Sequence, residues 1–287
     1  MTISTSEQLW ENITFPADDG YELHARWFEP VGVRRGVAVI VPAMATTAAY
    51  YATFASWLRD RGFAVMTFDY RGYGESRIGP LRDVDNDLVR WALDARDALE
   101  YVHMRAGGSP VTWIGHSLGG QVLPFTDHSK VDRAVHVAAG TGYWKHNSPE
   151  ARRAAPLLWK VIAPVAIAVA GYYPGKRLHL LGDLPPNVMR QWARWCMDPD
   201  YLVGELPDMR EEFAKVEVPV ASLSFTDDEL MSSTSINKLE DLYTAVDQIR
   251  MRYTPDQLGV ARMGHFGFFR HNQVDLWDEL ILPYLAE

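Results

Sequence analysis

Short apolar runs alternate with amphipathic helical patterns along most of this chain. Gly36 to Ala43 is a continuous, largely β-branched run, which is typical of a central strand in a parallel sheet. Phe63 to Phe68 and Val111 to Gly115 have the same character. Asp83 to Arg105 instead repeats its apolar residues at helical spacing on one face. Strands that alternate with helices in this way predict a mostly parallel sheet covered on both faces.

The other elements predicted from this pattern extend the alternation to the C-terminal part of the chain. No element is predicted before Glu22. The further predicted strands are Glu22 to Glu29, Arg133 to Ala139, Val218 to Phe225 and Ile249 to Tyr253. The further predicted helices are Ala48 to Arg61, Ser235 to Val246, Val274 to Leu285 and one that opens within Gly120 to Phe125. In such a sheet the carboxyl ends of the parallel strands share one edge, where ligands bind.

The pattern changes between Gly140 and Glu212, where prolines, tryptophans and helical patterns replace the apolar runs. We predict no strand there and interpret this stretch as a helical cap inserted over the sheet edge. The predicted division is a core of residues 1–139 and 213–287 and a cap segment of residues 140–212. The cap segment is rich in aromatic residues. They include Tyr143, Trp144, Trp159, Tyr172, Tyr173, Trp192, Trp195 and Tyr201.

Charge and composition narrow the class of protein. The 287 residues are enough for one large domain or for a core with an inserted subdomain. A net charge of -9 argues against nucleic acid as a partner. Between Lys145 and Asp200, however, eight basic residues stand against four acidic ones. This excess predicts either a solvated outer face or a rim that attracts an anionic substrate or a lipid surface. Cys196 is the only cysteine, so no disulfide can form within the chain, and the cytoplasm is the expected compartment.

Neither a signal peptide nor a transmembrane segment is expected from the sequence. Met1 to Trp10 is polar and has no basic residue followed by an apolar run. The longest apolar run, Val161 to Tyr173, is interrupted by Pro164 and is shorter than a bilayer-spanning helix requires.

A G-x-S-x-G pattern, Gly-His-Ser-Leu-Gly, occupies Gly115 to Gly119 directly after a predicted strand. Between a buried strand and a helix this pattern predicts a nucleophile elbow, a sharp turn that exposes the serine in a strained conformation. The two glycines leave the room that so tight a turn requires. Ser117 is therefore the candidate nucleophile.

A serine hydroxyl needs a base within hydrogen-bond reach and a carboxylate that orients the base. In this type of fold the chain order is serine, acid, histidine. Asp227 and Asp228 follow the predicted strand that ends at Phe225. His265 lies among glycines in a loop after the last predicted strand. Because adjacent residues at a strand end point in different directions, one of the two aspartates is expected to face His265.

The chain resembles the α/β-hydrolase superfamily, specifically its uncharacterised, esterase/lipase-like serine-hydrolase branch. The resemblance is carried by the elbow, by Asp-Tyr-Arg-Gly at Asp69 to Gly72, and by Gly-His-Phe-Gly-Phe-Phe at Gly264 to Phe269. It covers nearly the whole chain and is weakest in the cap segment. It implies the α/β-hydrolase fold, a mostly parallel sheet flanked by helices with an inserted helical cap.

The resemblance also implies a catalytic triad, with Ser117 as nucleophile and His265 as base. In the superfamily pattern the acid often stands three residues after a position commonly held by glycine. Phe225 occupies that position here, which indicates Asp228 as the acid, with Asp227 as the alternative.

An oxyanion hole is implied by the same resemblance. One donor is the backbone N–H of Leu118, and the other belongs to a residue just after the predicted strand that begins at Gly36. Pro42 has no N–H, so we predict Met44 as the second donor, with Ala43 as the alternative.

The expected reaction is cleavage of a carboxylic ester through an acyl-enzyme. The serine disfavours the superfamily reactions that use an aspartate nucleophile, and His116 replaces the tryptophan usual in its cofactor-free peroxidases. An acyltransferase and a weakly active ligand-binding protein stay open as alternatives. We expect no cofactor and no metal, because no nucleotide motif or metal-ligand spacing is present. The aromatic residues of the cap segment predict an apolar pocket wall that suits acyl or aryl groups.

Several other polar residues are interpreted as structural. We expect Asp69 and Arg71 to tie their loop together, Cys196 to be packed rather than reactive, and His116 to take no direct part in catalysis. His271 is expected to be solvated or to cap the final helix.

Overall fold

The computed structural model describes residues 9–286, which form an eight-stranded sheet, a two-stranded ribbon and the helices packed around them. The strands are β1 (Glu11–Pro16), β2 (Glu22–Phe28), β3 (Gly36–Val41), β4 (Phe63–Phe68), β5 (Val111–His116), β6 (Arg133–Val137), β7 (Tyr173–Pro174), β8 (Asp183–Leu184), β9 (Val220–Phe225) and β10 (Ile249–Tyr253).

The helices alternate with the strands, as the sequence pattern predicts. They are α1 (Ala52–Arg59), α2 (Leu88–Ala106), α3 (Leu118–Gln121), α4 (Pro149–Ala170), α5 (Gly175–Leu178), α6 (Pro186–Met197), α7 (Leu202–Glu205), α8 (Met209–Ala214), α9 (Ser233–Glu240) and α10 (Val274–Leu280). Short 3₁₀ turns occupy Ala48–Tyr51, Gly74–Ser76, Leu81–Asp83, Leu123–Phe125, His128–Lys130, Asp256–Leu258, His271–Gln273 and Leu282–Tyr284.

The main sheet has the strand order β1-β2-β4-β3-β5-β6-β9-β10. β1 and β2 pair antiparallel, and β2 pairs antiparallel with β4. The remaining neighbours pair parallel, in the order β4, β3, β5, β6, β9 and β10. The prediction of a mostly parallel sheet is confirmed. β5 lies in the middle of the parallel part, so the residue after it stands at the centre of the carboxyl edge.

Each face of the sheet carries its own apolar core, because side chains alternate along a strand. In β3, Val37 and Val39 belong to the core that includes Trp91 of α2. Ile40 belongs to the opposite core, together with Trp277 of α10. Burial on both faces explains why β3, β4 and β5 appear in the sequence as continuous apolar runs.

Several element boundaries differ from the predictions. β1 is missing from them because it is a half-exposed edge strand in which only Phe15 is buried. α2 begins at Leu88 rather than at Asp83, because the Asp87 side chain accepts a hydrogen bond from the Arg90 N–H and caps the helix there. Ser232 caps α9 in the same way, so that this helix begins earlier than predicted. It also ends earlier, at Glu240.

Between β6 and β9 the chain adds no strand to the main sheet. The prediction that the cap segment has no strand at all is wrong, since β7 and β8 pair antiparallel within it. Each of these strands is two residues long, so neither produces a recognisable apolar run. The exact limits of the cap segment, 140 and 212, stay a prediction.

α4 is the most unusual helix of the cap segment. It runs unbroken for 22 residues, and its middle turn, Leu158–Ile162, is a π-helix. Within residues 9–286 it is the one helix that is long and apolar enough to cross a membrane, by length and composition alone. The predicted length refers only to the apolar run from Val161, whereas the helix that contains it begins at Pro149. That no segment crosses a membrane stays a prediction. Only 22% of the most apolar 18-residue window of α4 is buried.

Candidate active site

The turn that follows β5 has the geometry of a nucleophile elbow. Ser117 has φ 51° and ψ −109°, a backbone region that residues with a side chain rarely adopt. Its N–H donates to the carbonyl oxygen of Val137 at 2.9 Å, and its own carbonyl accepts from the N–H of Gly120 at 3.0 Å. A Cβ on Gly119 would lie 2.0 Å from the carbonyl oxygen of Val41, so glycine is required there.

Asp228 and His265 form a buried pair beside this turn. Oδ2 of Asp228 lies 2.8 Å from Nδ1 of His265, and both side chains are almost fully buried. The other carboxylate oxygen accepts the backbone N–H groups of Leu230 and Met231, each at 2.8 Å. The carboxylate is thus held on both oxygens, and it fixes the orientation of the imidazole ring.

Asp227 faces the same loop but does not touch the ring. Its Oδ2 accepts the backbone N–H groups of Met263 at 2.8 Å and of Gly264 at 3.1 Å. Of the two candidate acids, the structure therefore places Asp228 against His265. Glu229, the next residue, accepts the backbone N–H of His265 at 3.0 Å. Sequence reasoning missed Glu229, although a run of three acids after a strand was visible.

The serine and the histidine are close in the fold but are not hydrogen-bonded to each other. Within residues 9–286, Ser117 Oγ makes no hydrogen bond. His265 lies against the residue before the serine, since its carbonyl oxygen is 3.0 Å from Nε2 of His116.

His116 connects the loop that carries His265 to the loop after β3. The N–H of Ala43 donates to the Tyr51 hydroxyl at 2.9 Å, and that hydroxyl is 2.8 Å from Nδ1 of His116. Since the hydroxyl accepts from Ala43, it donates its own hydrogen to Nδ1, and Nε2 donates to the carbonyl of His265. Burial lowers the pKa of His116 to about 3 and keeps the ring neutral. His116 thus joins two loops through its hydrogen bonds, and no feature of the sequence indicated Tyr51 as its partner.

The same contacts bear on the choice of oxyanion donors. The Ala43 N–H is occupied by Tyr51. The N–H groups of Met44 and Leu118 have no acceptor within residues 9–286, and both residues line the cavity at Ser117. These two groups are therefore free to bind a substrate oxygen, whereas the Ala43 group is not.

A cavity of about 280 Å³ opens in front of Ser117. The rings of Trp159 and Trp192 lie 4.9 Å apart, edge to face, in its wall. No aspartate, glutamate, lysine or arginine is among the described residues that line it. Besides Ser117, Met44 and Leu118, the lining residues are Gln121, Gly142, Asn147, Ala151, Ala154, Ala155, Leu158, Trp159, His179, Leu180, Leu181, Trp192, Cys196, Tyr201, Leu230 and Met231.

The aromatic residues of the cap segment do not all face the cavity. Trp159, Trp192 and Tyr201 line the cavity, whereas Trp195 and Tyr173 are buried away from it. Three polar side chains in the wall were missed by sequence reasoning, because nothing in their surroundings indicates them; they are Gln121, Asn147 and His179. Gln121 donates to the carbonyl of Gly140 at 2.7 Å and accepts from the Tyr201 hydroxyl at 3.1 Å.

The residues interpreted as structural have structural contacts. Asp69 accepts the backbone N–H groups of Ala48 and Glu75, at 2.8 and 2.9 Å. Arg71 pairs with the buried Asp94 at 2.7 Å. Burial raises the pKa of the Cys196 thiol well above its usual value, so this side chain stays neutral. His271 lies in a 3₁₀ turn just before α10.

No group of histidine, cysteine, aspartate or glutamate side chains within residues 9–286 is arranged to hold a metal ion.

Comparison with known sequences adds the family. The model of the family described as serine aminopeptidase, S33 (Hydrolase_4), matches residues 32–183, more than half of the chain. The curated relative named Uncharacterized protein YfhR from Salmonella typhimurium is 37% identical over 126 residues. Its counterpart from Escherichia coli K12 is 32% identical over 117 residues. These matches span only about two fifths of the relatives' length, 41% and 39%.

Solved structures share the fold at low sequence identity. A soluble variant of monoglyceride lipase from Saccharomyces cerevisiae, in complex with a substrate analogue, has a TM-score of 0.68 at 16% identity. That match covers 99% of this chain and 98% of the lipase. A carboxyl esterase from Bacillus coagulans has a TM-score of 0.60 at 14% identity, over 86% and 90% of the two chains. The chain therefore has the α/β-hydrolase fold and belongs to the serine aminopeptidase S33 family of hydrolases.

Proposed function

We propose that this protein is a serine hydrolase that cleaves carboxylic esters with apolar or aromatic groups. One observation carries the proposal. A buried Asp228–His265 pair lies beside a strained serine that opens into a cavity without charged side chains. A nucleophile, a base and an orienting acid are the groups that acyl transfer requires, so this arrangement supports the proposal.

The proposed reaction has two steps. Ser117 Oγ attacks the ester carbonyl while Nε2 of His265 takes its proton, and Asp228 stabilises the imidazolium that forms. The N–H groups of Leu118 and Met44 bind the oxyanion of the tetrahedral intermediate. His265 then gives the proton to the departing alcohol, which leaves Ser117 acylated. Water, activated by the same histidine, releases the acid and restores the serine hydroxyl.

The character of the cavity favours an ester over a peptide as the substrate. An aminopeptidase has to hold the positively charged amino group of its substrate, and the described lining offers no carboxylate for that purpose. Tryptophan, leucine and alanine side chains suit an acyl or aryl group. Each buried CH₂ contributes about 0.8 kcal/mol, so kcat/KM should rise up to about fourfold per added CH₂ until the cavity is full.

An acyltransferase would use the same residues with an alcohol or amine in place of water, and a ligand-binding protein would retain the fold without turnover. Neither has an observation of its own in its favour. The cytoplasm is the location we propose, on the basis of the single cysteine.

The proposal is tested with a fluorophosphonate probe and a series of p-nitrophenyl esters of increasing acyl length, beside an amino-acid p-nitroanilide. We expect probe labelling of the native protein and none of Ser117→Ala. Ester hydrolysis should exceed anilide hydrolysis and increase with acyl length. Ser117→Ala should lower kcat by about four to six orders of magnitude with the fold intact. Wild-type turnover by that variant would refute the assignment, and product partitioning towards an added alcohol would indicate an acyltransferase.

A further inference from the structure

Large apolar side chains are concentrated on the outside of α4 and just after it. On the helix they are four residues apart, which places them on one face, and they are between 49% and 84% exposed. Six of the twelve exposed large apolar side chains within residues 9–286 lie in this one stretch. Scattered exposed apolar residues are normal, but a contiguous group marks a contact surface. The six are Leu157, Val161, Val165, Val169, Leu178 and Leu180.

Basic side chains border this apolar row. Arg152, Arg153 and Lys160 on α4, and Lys176 and Arg177 on α5, are all exposed. None of them forms an ion pair with a residue in the described part of the chain. The chain as a whole has a net charge of -9, so this local excess of unpaired cations is opposite in sign to the rest of the protein. Such a patch attracts an anionic partner.

Two acidic side chains lie on the same stretch as the five basic ones, so a net positive charge remains there. Glu150 is exposed at the start of α4. Asp183 is half-buried, and its carboxylate accepts the backbone N–H of Lys176 at 3.0 Å.

The opposite face of α4 forms part of the cavity in front of Ser117. Ala151, Ala155, Leu158 and Trp159 line that cavity. Ala154, His179 and Leu180 both line it and are exposed, which locates its mouth beside the apolar row. A partner that covers the row would therefore lie against the entrance.

We propose that the outer face of α4 together with residues 176–180, here called the docking face, binds the surface of an anionic lipid bilayer. A helix with an exposed apolar row and bordering cations is typical of proteins that lie in the membrane interface. The apolar row would enter the acyl boundary while the cations contact lipid phosphates and carboxylates. The proposal of membrane binding rests on the residues of the docking face alone. The further statement that lipid-borne esters enter the cavity from the bilayer rests on the proposed function.

Two other occupants fit the docking face less well. Crossing the bilayer would require α4 to leave the fold, although its Ala155, Trp159, Ala163 and Ile167 are buried there, and it would take charged residues into the hydrocarbon. A second copy of the chain, related by a two-fold axis, would bring the same unpaired cations face to face. An anionic bilayer offers hydrocarbon to the apolar row and negative charge to the basic side chains that border it.

The test uses the full chain with Ser117→Ala, so that no turnover disturbs the measurement. Sedimentation with phosphatidylcholine vesicles, with and without phosphatidylglycerol, is followed at low and high salt. We expect binding only to the anionic vesicles and release at high salt. Val165→Glu should weaken the partition coefficient at least about tenfold, and Lys160→Gln about fivefold.

Matched control variants exist at the opposite edge of the sheet. Val33 is 87% exposed and precedes β3, and Arg133 is exposed at the start of β6. Val33→Glu and Arg133→Gln should bind vesicles like the parent protein. Equal weakening by the controls, or no binding to anionic vesicles, would overturn the proposal.

Two further outcomes would replace the bilayer surface with another occupant. Self-association in light scattering without vesicles, lost in Val165→Glu, would indicate a second copy of the chain. Resistance of the membrane-bound protein to alkaline carbonate would indicate a spanning helix. In the otherwise native enzyme, Val165→Glu should slow hydrolysis of a vesicle-borne ester and leave that of a dissolved ester unchanged. If no ester is cleaved at all, the proposed function fails while the vesicle-binding result stands.

Discussion

The loop after β9, residues 226–232, and the cap segment both line the cavity in front of Ser117, but different forces hold them. In the loop, three consecutive carboxylates, from Asp227 to Glu229, hold the His265 ring and the backbone around it. In the cap segment, the cavity wall is built from apolar contacts such as that between Trp159 and Trp192. Hydrogen bonds fix direction and distance, whereas apolar contacts fix volume with little directional preference. The loop is thus suited to positioning reacting groups, and the wall to selecting substrates by size.

The largest expected effect comes from replacing the carboxylate that contacts the His265 ring. Asp228→Asn should lower kcat by about 10⁴-fold, because the amide favours the wrong imidazole tautomer. Asp227→Asn, which keeps an oxygen able to accept from Met263 and Gly264, should cost less than about tenfold. Steady-state kinetics of the two variants, with circular dichroism as the control for folding, measures the difference. The reverse order of effects would transfer the orienting role to Asp227.

The free energy of unfolding at low pH should depend on His136, a buried polar residue of the sheet. His136 lies in β6, its Nε2 has no partner within residues 9–286, and burial lowers its pKa to about 4. Between about pH 4 and 6.5 the unfolded chain binds the extra proton, so the free energy of unfolding falls as the pH falls. The part of the loss at pH 4 that is due to His136 should be on the order of 3 kcal/mol.

Urea unfolding at several pH values measures this dependence. His136→Leu should remove the part due to His136, whereas replacing the exposed His103 should not. An unchanged slope in His136→Leu would show that other groups cause the acid sensitivity.

Removing the Tyr51 hydroxyl tests whether the loop after β3 depends on the hydrogen bonds that this group makes to Ala43 and His116. Tyr51→Phe leaves the buried Ala43 N–H without an acceptor and His116 without a donor, so we expect kcat to fall about tenfold. KM should change less, because the apolar cavity wall is untouched. Tyr101→Phe, which removes a hydroxyl on α2, is the matched control. A change confined to KM would contradict this role.

A substitution in the cavity wall should change how kcat/KM depends on substrate size. Trp159→Ala enlarges the cavity, so kcat/KM should fall for short acyl chains and its maximum should move to longer ones. The expected change is a few-fold per CH₂. Trp144→Ala is the control, because Trp144 belongs to the cap segment and does not line the cavity. A parallel loss for all chain lengths would mean that Trp159 supports the fold instead.

The parts of the site that the sequence predicts are those encoded by a few adjacent residues. The elbow at Ser117 follows from the two glycines and the strand before it, and the positions of the acid and of His265 follow from chain order. The choice between Asp227 and Asp228 depends on how a loop leaves β9, and no local pattern encodes that. The choice between Met44 and Ala43 depends on the Tyr51 hydroxyl, which the fold brings to the Ala43 N–H.

The cap segment was predicted less well for a different physical reason. Pro164 was interpreted as an interruption, since proline lacks an N–H and clashes with the preceding turn of an α-helix. In the structure it follows a π turn, in which Ala163 donates to the carbonyl of Leu158. The regular hydrogen-bond ladder is already displaced there, so the missing donor costs little. Helical irregularities of this kind leave no periodic signal in the sequence.

The π turn has a consequence for how α4 can vary. Residues four apart in a regular α-helix advance about 40° around the axis at each step, so a long row spaced by four spirals away from its face. The wider turn takes up part of this drift, which allows the row from Leu157 to Val169 to face outwards while the row from Ala155 to Ile167 stays buried. Deleting one residue of the turn would rotate the second half of the helix by about 100°. The π turn therefore sets the angle between the outward row and the buried row of α4, and a change in its length would alter both surfaces at once.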